Sequence, residues 1–332
     1  MDNLKKVGLT ALAGSLAAVS ANAAEMSVSG ATLLTYTSEH STETTGNPFG
    51  MKTNIGFTAS GDVNGMTVSY LQVVKDQFAG MSSARLSIDM GDMGVIAFDQ
   101  GSGSGLATID DKTPSAAEEI WDGLDGTTVG GLVGAAGNTG VFNYIKSYSG
   151  VTLNAAARRG SGTANSDGSS SGSGQGAWDF ALTGSGDSFG VDGLAWGFGY
   201  GEAENGSVMK GITDNGDDEH ATVFANYSFG MVTAGYQISS IAKGASGATS
   251  EEVDQWGIAV NINDDLSVSY GEREVEFAKA SAAHVTEDGE GIAIAYTMGS
   301  MKIAGNRNEV THNGGTKNSN DEMTEIALSF AF

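Results

Sequence analysis

Apolar and polar residues alternate along most of the chain with a period of two, which is the pattern of β-strands that have one apolar face. In the segment 194–200, Trp196 and Phe198 alternate with alanine and glycine. Beyond the first twenty-odd residues, no apolar run is long enough for a transmembrane helix. With turn-forming residues as boundaries, the pattern predicts sixteen strands, at 26–37, 52–60, 65–75, 81–90, 93–100, 140–148, 150–160, 176–183, 192–203, 219–229, 230–240, 252–263, 265–275, 287–298, 300–309 and 323–332.

The connections between these strands alternate in length. Tight turns such as Ser149-Gly150 and Asn263-Asp264 separate the longer segments 38–51, 101–139, 161–175, 204–218, 241–251, 276–286 and 310–322. Only the stretch 184–191, which is long on the short-turn side, departs from the alternation. Long loops at one end and short turns at the other are typical of a transmembrane antiparallel β-barrel with an even strand number. The sequence therefore predicts an all-β barrel of about sixteen strands, with long extracellular loops and short periplasmic turns.

The connection 101–139, the third on the long-loop side when the short link between strands 65–75 and 81–90 is counted, is far longer than the usual loop of a compact domain. It is also strongly acidic, with Lys112 as its one basic residue. We predict that it folds into the bore of the barrel and constricts it. Its carboxylates are then the candidate pore-constriction residues: Asp110, Asp111, Glu118, Glu119, Asp122 and Asp125. The alternative is a solvated charge run on an exposed loop.

Composition excludes several classes of function. The 332 residues carry a net charge of −24 and no cysteine, and 40% of them are hydrophobic. Without cysteine there are no disulfides, zinc–cysteine sites or thiol catalysis. A strongly acidic chain is a poor partner for nucleic acid, whose phosphates need Lys and Arg. The four histidines accompany no nucleophile motif, so we expect no enzyme.

Residues 1–23 form a separate unit. Lys5 and Lys6 precede an apolar run that ends in Ala21-Asn22-Ala23, a small-x-small cleavage pattern. This order of basic, apolar and small residues is that of a secretory signal peptide. We therefore expect an exported protein whose single domain, the barrel, spans 24–332.

The last eight residues, Glu325-Ile326-Ala327-Leu328-Ser329-Phe330-Ala331-Phe332, alternate and end on phenylalanine. With the leader and the oversized third loop, the mature chain resembles the sixteen-stranded general porins of Gram-negative bacteria, and the acidic, Gly-rich alphaproteobacterial type in particular. That resemblance implies an outer-membrane homotrimer for passive diffusion of ions and small hydrophilic solutes. It implies contact with outer-membrane lipid and lipopolysaccharide, no cofactor, and Phe330 and Phe332 as the signal for the barrel assembly machinery. The Pro-Glu-Phe-Gly-Gly motif of enterobacterial third loops is absent from 101–139.

In such porins, acids on the inward loop face basic residues on the wall. Parity along the strands places five basic residues on the lumen side: Lys52, Arg85, Arg158, Arg273 and Lys302. Arg or Lys facing lipid at the midplane costs about 2–4 kcal/mol, which favours this orientation for Arg85. For the other four, a solvated charge at the rim is the alternative. The acidic loop and the acidic chain predict a modest cation preference.

Calcium is a further expectation at Asp110, Asp111 and Glu118, because it binds several oxygen ligands. Three other functions remain open, of which an outer-membrane barrel enzyme is disfavoured because no Ser/His/Asp arrangement stands out. A substrate-specific outer-membrane channel would share the fold, and a secreted Gly-rich adhesin or surface β protein would share the composition. The adhesin needs neither the terminal phenylalanine nor the alternating loop lengths.

Overall fold

The computed structural model describes residues 25–39, 47–124, 135–137, 139–160, 176–204, 216–245, 247–278 and 285–332. The leader 1–23 and the candidate Asp125 lie outside the described residues. The described part of the chain contains sixteen strands: β1 Glu25–Glu39, β2 Phe49–Val63, β3 Met66–Lys75, β4 Gly80–Asp89, β5 Val95–Gln100, β6 Thr139–Tyr148, β7 Val151–Arg159, β8 Gly176–Ser185, β9 Leu194–Ala203, β10 Asp218–Phe229, β11 Val232–Ala242, β12 Ser250–Asn261, β13 Leu266–Ala278, β14 Glu287–Met298, β15 Met301–Thr311 and β16 Asp321–Ala331. Four short 3₁₀ segments lie between strands: Gly91–Met93, Gly105–Ile109, Gly186–Phe189 and Asn313–Gly315.

The strands close into one barrel in which each strand pairs with its sequence neighbours, and β1 pairs with β16. All pairs are antiparallel, and the closing pair runs from Ala31 opposite Ala331 to Glu39 opposite Met323. Phe332 extends this closure, because its N–H and C=O both bond to the backbone of Gly30, at 2.9 and 2.7 Å. A closed barrel leaves no strand edge unpaired, which lipid requires. The predicted strand number and fold class are confirmed.

The two ends of the barrel differ as predicted. At one end the strands are joined by turns such as Asn64-Gly65 and Ser149-Gly150, in which both residues have positive φ. At the other end lie the longer connections, with one exception: β3 and β4 are joined by only four residues, Asp76 to Ala79. Asp76, Gln77 and Phe78 all have positive φ there, so the chain reverses tightly where its neighbours make loops.

Apolar side chains cover the outside of the barrel. Large hydrophobic residues that point outward are exposed on both halves of its circumference, for example Met51 at 60%, Ile292 at 54% and Ile326 at 55%. A protein in water avoids so large an exposed apolar surface, whereas lipid solvates it. Among the described residues, no helix is long and apolar enough to cross a membrane.

The inward face is largely polar or glycine, with some apolar residues packed under the loop, such as Ala181 and Phe224 against Leu106 and Ile109. Asn143, Gln237 and Asn308 are examples of inward side chains that are almost fully buried. A loop covers Gln237 and Asn308, which bond to its backbone, so the lumen is not an open cylinder.

Candidate functional site: the loop folded inside the barrel

The connection between β5 and β6 turns into the lumen immediately after β5. Asp99, at the end of that strand, accepts hydrogen bonds from the Ser102 N–H at 2.9 Å and the Ser104 hydroxyl at 2.7 Å. The next residues reach the neighbouring wall, where the N–H of Gly105 donates to Asn154 Oδ1 on β7 at 2.9 Å. The predicted inward course of 101–139 is therefore what its described residues show.

From there the loop runs along the inner wall, held by side-chain amides of the strands. The Gln237 amide on β11 donates to the carbonyls of Ile109 and Asp110 at 2.9 and 3.2 Å, and its oxygen accepts the Lys112 N–H at 2.8 Å. Asn226 on β10 donates to the Lys112 carbonyl at 2.6 Å. A loop backbone away from water needs such partners, because unpaired buried amides are costly.

Further along, the same kind of contact continues to β15. Ala116 N–H donates to the Ser269 hydroxyl on β13 at 2.9 Å. Asn308 on β15 donates to the carbonyls of Glu119 and Asp122 at 3.0 and 2.9 Å. The loop thus contacts a continuous arc of the wall from β7 to β15.

Inward glycines make room for the loop along this arc. A Cβ atom on Gly257 would lie 2.7 Å from the Pro114 carbonyl oxygen, and one on Gly291 would lie 2.9 Å from Ile120 Cβ. Real Cβ atoms do not approach this closely, so glycine is required at these two wall positions. The other inward glycines under the loop are Gly199, Gly201, Gly235 and Gly271.

The part of the loop around Trp121 packs against a buried arginine. The Arg273 guanidinium carbon lies 5.0 Å from the centre of the Trp121 ring, which is cation–π geometry. Arg273 is 2% exposed, and the carboxylate of Glu287, which is equally buried, is 3.9 Å away. We predicted Arg273 as a basic residue of the pore wall, with a solvated charge at the rim as the alternative. It does point inward, but it lies beneath the loop because Trp121 covers it.

Crowding changes the protonation of the loop acids. Burial raises the pKa of Asp110, Glu118 and Asp122, with repulsion from neighbouring carboxylates adding to it. Burial, a hydrogen bond to Glu119 and repulsion by Glu119 and Asp110 raise the pKa of Asp111 to about 8, against the attraction of Lys112. The loop therefore carries less than its full formal charge at neutral pH.

Two basic residues of the wall interact with this acidic loop. The pKa values of Glu118 and Asp122 are raised overall, but attraction by a lysine offsets part of each increase. Lys302 on β15 acts on Glu118, and Lys52 on β2 acts on Asp122. Arg85 on β4 and Arg158 on β7 also point inward by strand parity. Arg85 on β4 lies outside the arc that the loop covers, whereas Arg158 on β7 and Lys302 on β15 lie on the two strands at its ends.

The predicted calcium ligands are only partly brought together. Carboxylate oxygens of Glu118, Glu119 and Asp122 lie within 4.8 Å of one another, whereas Asp110 and Asp111 are not part of this group. Calcium takes six to eight oxygens, which three carboxylates approach only if each binds through both of its oxygens. The fit is therefore incomplete.

Several residues that hold the loop were not predicted from the sequence. Asn154, Asp179, Gln237 and Asn308 occupy inward positions of regular strands, where any small or polar residue suits a water-filled barrel. Their role depends on which part of the loop lies against them. Only the polar amide or carboxylate at an inward position, in place of glycine or serine, could have marked them.

A closed sixteen-stranded antiparallel barrel with an apolar exterior and a loop folded into its lumen defines the fold of the porins. Solved structures share it. A porin refined at 1.8 Å resolution is 15% identical over 93% of this chain and all (100%) of its own length, with a TM-score of 0.66. The anion-selective porin from Comamonas acidovorans is 12% identical over 93% of this chain and 100% of its own, with a TM-score of 0.63. OmpT, an outer membrane protein of Vibrio cholerae, is 13% identical over 93% of this chain and 98% of its own length, also with a TM-score of 0.63.

Comparison of the sequence with protein-family models gives no match, and no curated protein matches significantly.

Proposed function

We propose that this protein is an outer-membrane porin of a Gram-negative bacterium, through which ions and small hydrophilic solutes diffuse passively. The observation that carries the proposal is the loop inside the barrel, fixed to the inner wall from β7 to β15 by hydrogen bonds to inward side chains. A channel so narrowed excludes large solutes, and its charged groups bias which small ions enter. No chemical step is involved.

The loop carboxylates favour a modest cation preference. One structural neighbour is an anion-selective porin, so the fold itself does not determine the sign. The charge at the narrowest part does, and here the loop brings Asp110, Asp111, Glu118, Glu119 and Asp122 into the lumen. A tenfold preference requires only about 1.4 kcal/mol of differential interaction. Basic residues on the wall limit this cation preference, namely Lys52, Arg85, Arg158 and Lys302.

Planar-bilayer recording of the purified protein tests the proposal. We expect stepwise, ion-permeable openings whose conductance scales with salt concentration. Absence of such openings from correctly folded protein would exclude a porin. Saturable block by one solute would identify the alternative, a substrate-specific channel.

Replacing Asp110, Asp111, Glu118 and Glu119 by their amides should lower the cation preference, because it removes the loop's fixed charge at nearly constant volume. The reversal potential measured in a salt gradient reports the change in cation preference. Asp62 and Asp264, which lie near or in the short turns, are the matched control when changed to Asn. An unchanged reversal potential in the loop variant would contradict selection by these carboxylates.

We further propose a homotrimer in which the β1–β8 side of the barrel faces the other copies. In the described strands, outward carboxylates are confined to β9–β16, namely Glu202, Glu219, Glu252, Asp254, Glu272, Glu274, Glu276, Asp288, Glu290, Glu309 and Glu322. A subunit interface is depleted of such charge at its centre.

Because the chain has no cysteine, single cysteines in place of Leu86 and Ile258 can be compared. We expect copper-catalysed disulfide dimers of the Leu86→Cys variant and none of the Ile258→Cys variant. Dimers of the Ile258→Cys variant alone would place the interface on the β9–β16 side instead.

Three further parts of the proposal accompany the porin. The leader 1–23 directs export, Phe330 and Phe332 are read by the assembly machinery, and the exterior contacts outer-membrane lipid including lipopolysaccharide. A calcium ion on the loop stays a proposal. A shift of the reversal potential on adding micromolar calcium, absent when Glu118, Glu119 and Asp122 are changed to amides, would support it.

A further inference from the structure

One buried carboxylate holds both limbs of the loop. Asp179, an inward residue of β8, is 2% exposed. Its Oδ1 accepts the N–H of Leu106 at 3.0 Å, on the limb that enters the lumen. Its Oδ2 accepts the N–H of Ala136 at 2.7 Å, on the limb that leaves it. Residues thirty apart in sequence are thereby joined through a single side chain.

The surroundings fit this carboxylate closely. A Cβ atom on Gly105 would lie 1.8 Å from Asp179 Oδ1, and one on Gly201 would lie 2.3 Å from Asp179 Cβ. Leu106 and Ala136, the two donors, have no exposed surface. The carboxylate therefore has one position, and in that position each oxygen faces a different limb.

We propose that Asp179 is the positioning residue that sets the open cross-section of the channel, by fixing both limbs of the loop at the same point of the wall. The inference rests on the proposed porin function. Two acceptor oxygens are essential, because both partners are backbone donors. Asparagine has one acceptor and places an N–H₂ group opposite the second donor, so Asp179→Asn holds only one limb. Asp179→Ala releases both.

Asp99 supplies a matched control. It is also an inward, fully buried carboxylate that accepts two hydrogen bonds from the loop, from Ser102 and Ser104. Both of those partners lie at the start of the lumen-entering limb, so Asp99 makes no bridge between the two limbs in these bonds. Asp99→Asn thus removes a comparable interaction without releasing the limb at Ala136.

A single cysteine in place of Ala136 reports on the leaving limb, since the chain contains no other cysteine. Its modification by a small hydrophilic maleimide is measured in folded protein, identified by heat-modifiable migration in gels. We expect at least tenfold faster labelling with Asp179→Ala, which corresponds to about 1.4 kcal/mol, and a smaller increase with Asp179→Asn. With Asp99→Asn the rate should stay within twofold of the parent.

Single-channel recordings on the same proteins, without the reporter cysteine, complete the test. Asp179→Ala should raise the mean conductance and the size of the largest neutral solute that passes, and by more than Asp99→Asn does, because the bonds of Asp99 hold only one limb. Equal labelling and equal conductance in Asp179→Ala and the parent would overturn the inference. If the parent forms no channels, the porin proposal fails, and the labelling rates still decide whether Asp179 holds the two limbs.

Discussion

At the scale of single residues, the loop depends on positions where an ordinary side chain does not fit. Gly105 has φ +57° and lies against Asp179. Both conditions exclude a Cβ atom: the left-handed backbone costs about 1–2 kcal/mol for a non-glycine residue, and the contact displaces the carboxylate. Glycine at this position is therefore a requirement of the folded loop.

Gly105→Ala is expected to leave the barrel folded but to displace the loop, raising single-channel conductance and its fluctuations. Gly65→Ala is the matched control, since Gly65 has φ +81° and nothing within 4 Å of the added methyl group. It shares the backbone strain and lacks the collision. If both variants conduct like the parent, the contact with Asp179 does not hold the loop.

The pH dependence of selectivity follows from the raised pKa values of the loop acids. Carboxylates are charged above their pKa, so the cation preference should increase as pH rises through about 8, the pKa of Asp111. Reversal potentials between pH 6 and 9, in chelator-containing buffer, measure this. Asp111→Asn should flatten the curve near pH 8. A parent curve that is flat over this range would contradict the buried environment of Asp111.

At the scale of elements, the loop and the strands beneath it form one structure. The loop supplies backbone donors and acceptors, and the strands supply Asn154, Asp179, Gln237 and Asn308 at inward positions. Midway along the loop, Trp121 covers Arg273, whose guanidinium group pairs with the carboxylate of Glu287. A charge buried this completely is tolerated only with a partner.

Arg273→Gln should destabilise the folded protein by about 3–5 kcal/mol, because it leaves Glu287 as a buried charge without its arginine. Guanidinium unfolding in lipid vesicles measures the change. Adding Glu287→Gln should recover most of the loss, and that double variant is the control for packing. If the single and double variants are equally unstable, the loss comes from the contact with Trp121 and not from the charge.

At the scale of the whole molecule, charge is distributed unevenly around the exterior. The outward carboxylates of β9–β16 are opposite one another across strands: Glu274 is opposite both Asp254 and Asp288. Like charges in such pairs destabilise a sheet. Arg307 is the outward cation in this region of the described barrel, and it already pairs with Glu309 and Glu322 at 2.6 and 2.9 Å.

Glu274→Gln should therefore raise the unfolding temperature at low ionic strength, because it removes two repulsions at once. The increase should disappear near 1 M salt, where the Debye length is about 3 Å. Thermal retention of the folded gel band at several salt concentrations measures it. A salt-independent effect would point to packing and not to repulsion.

The sequence by itself determined the barrel. A period of two and the alternating loop lengths predicted sixteen strands, because each residue's face in a strand follows from its neighbours alone. The inward course of the third loop followed from its length, whereas the role of its acids in the pore constriction stays a prediction.

Only the tertiary structure decided what holds the loop. Nothing local distinguishes Asp179, Gln237 or Asn308 from other inward polar residues, because their partners lie 70 to 190 positions away. Arg273 is a further example: strand parity points it toward the lumen, but it lies beneath Trp121, a loop residue distant in sequence that only the tertiary structure brings to it.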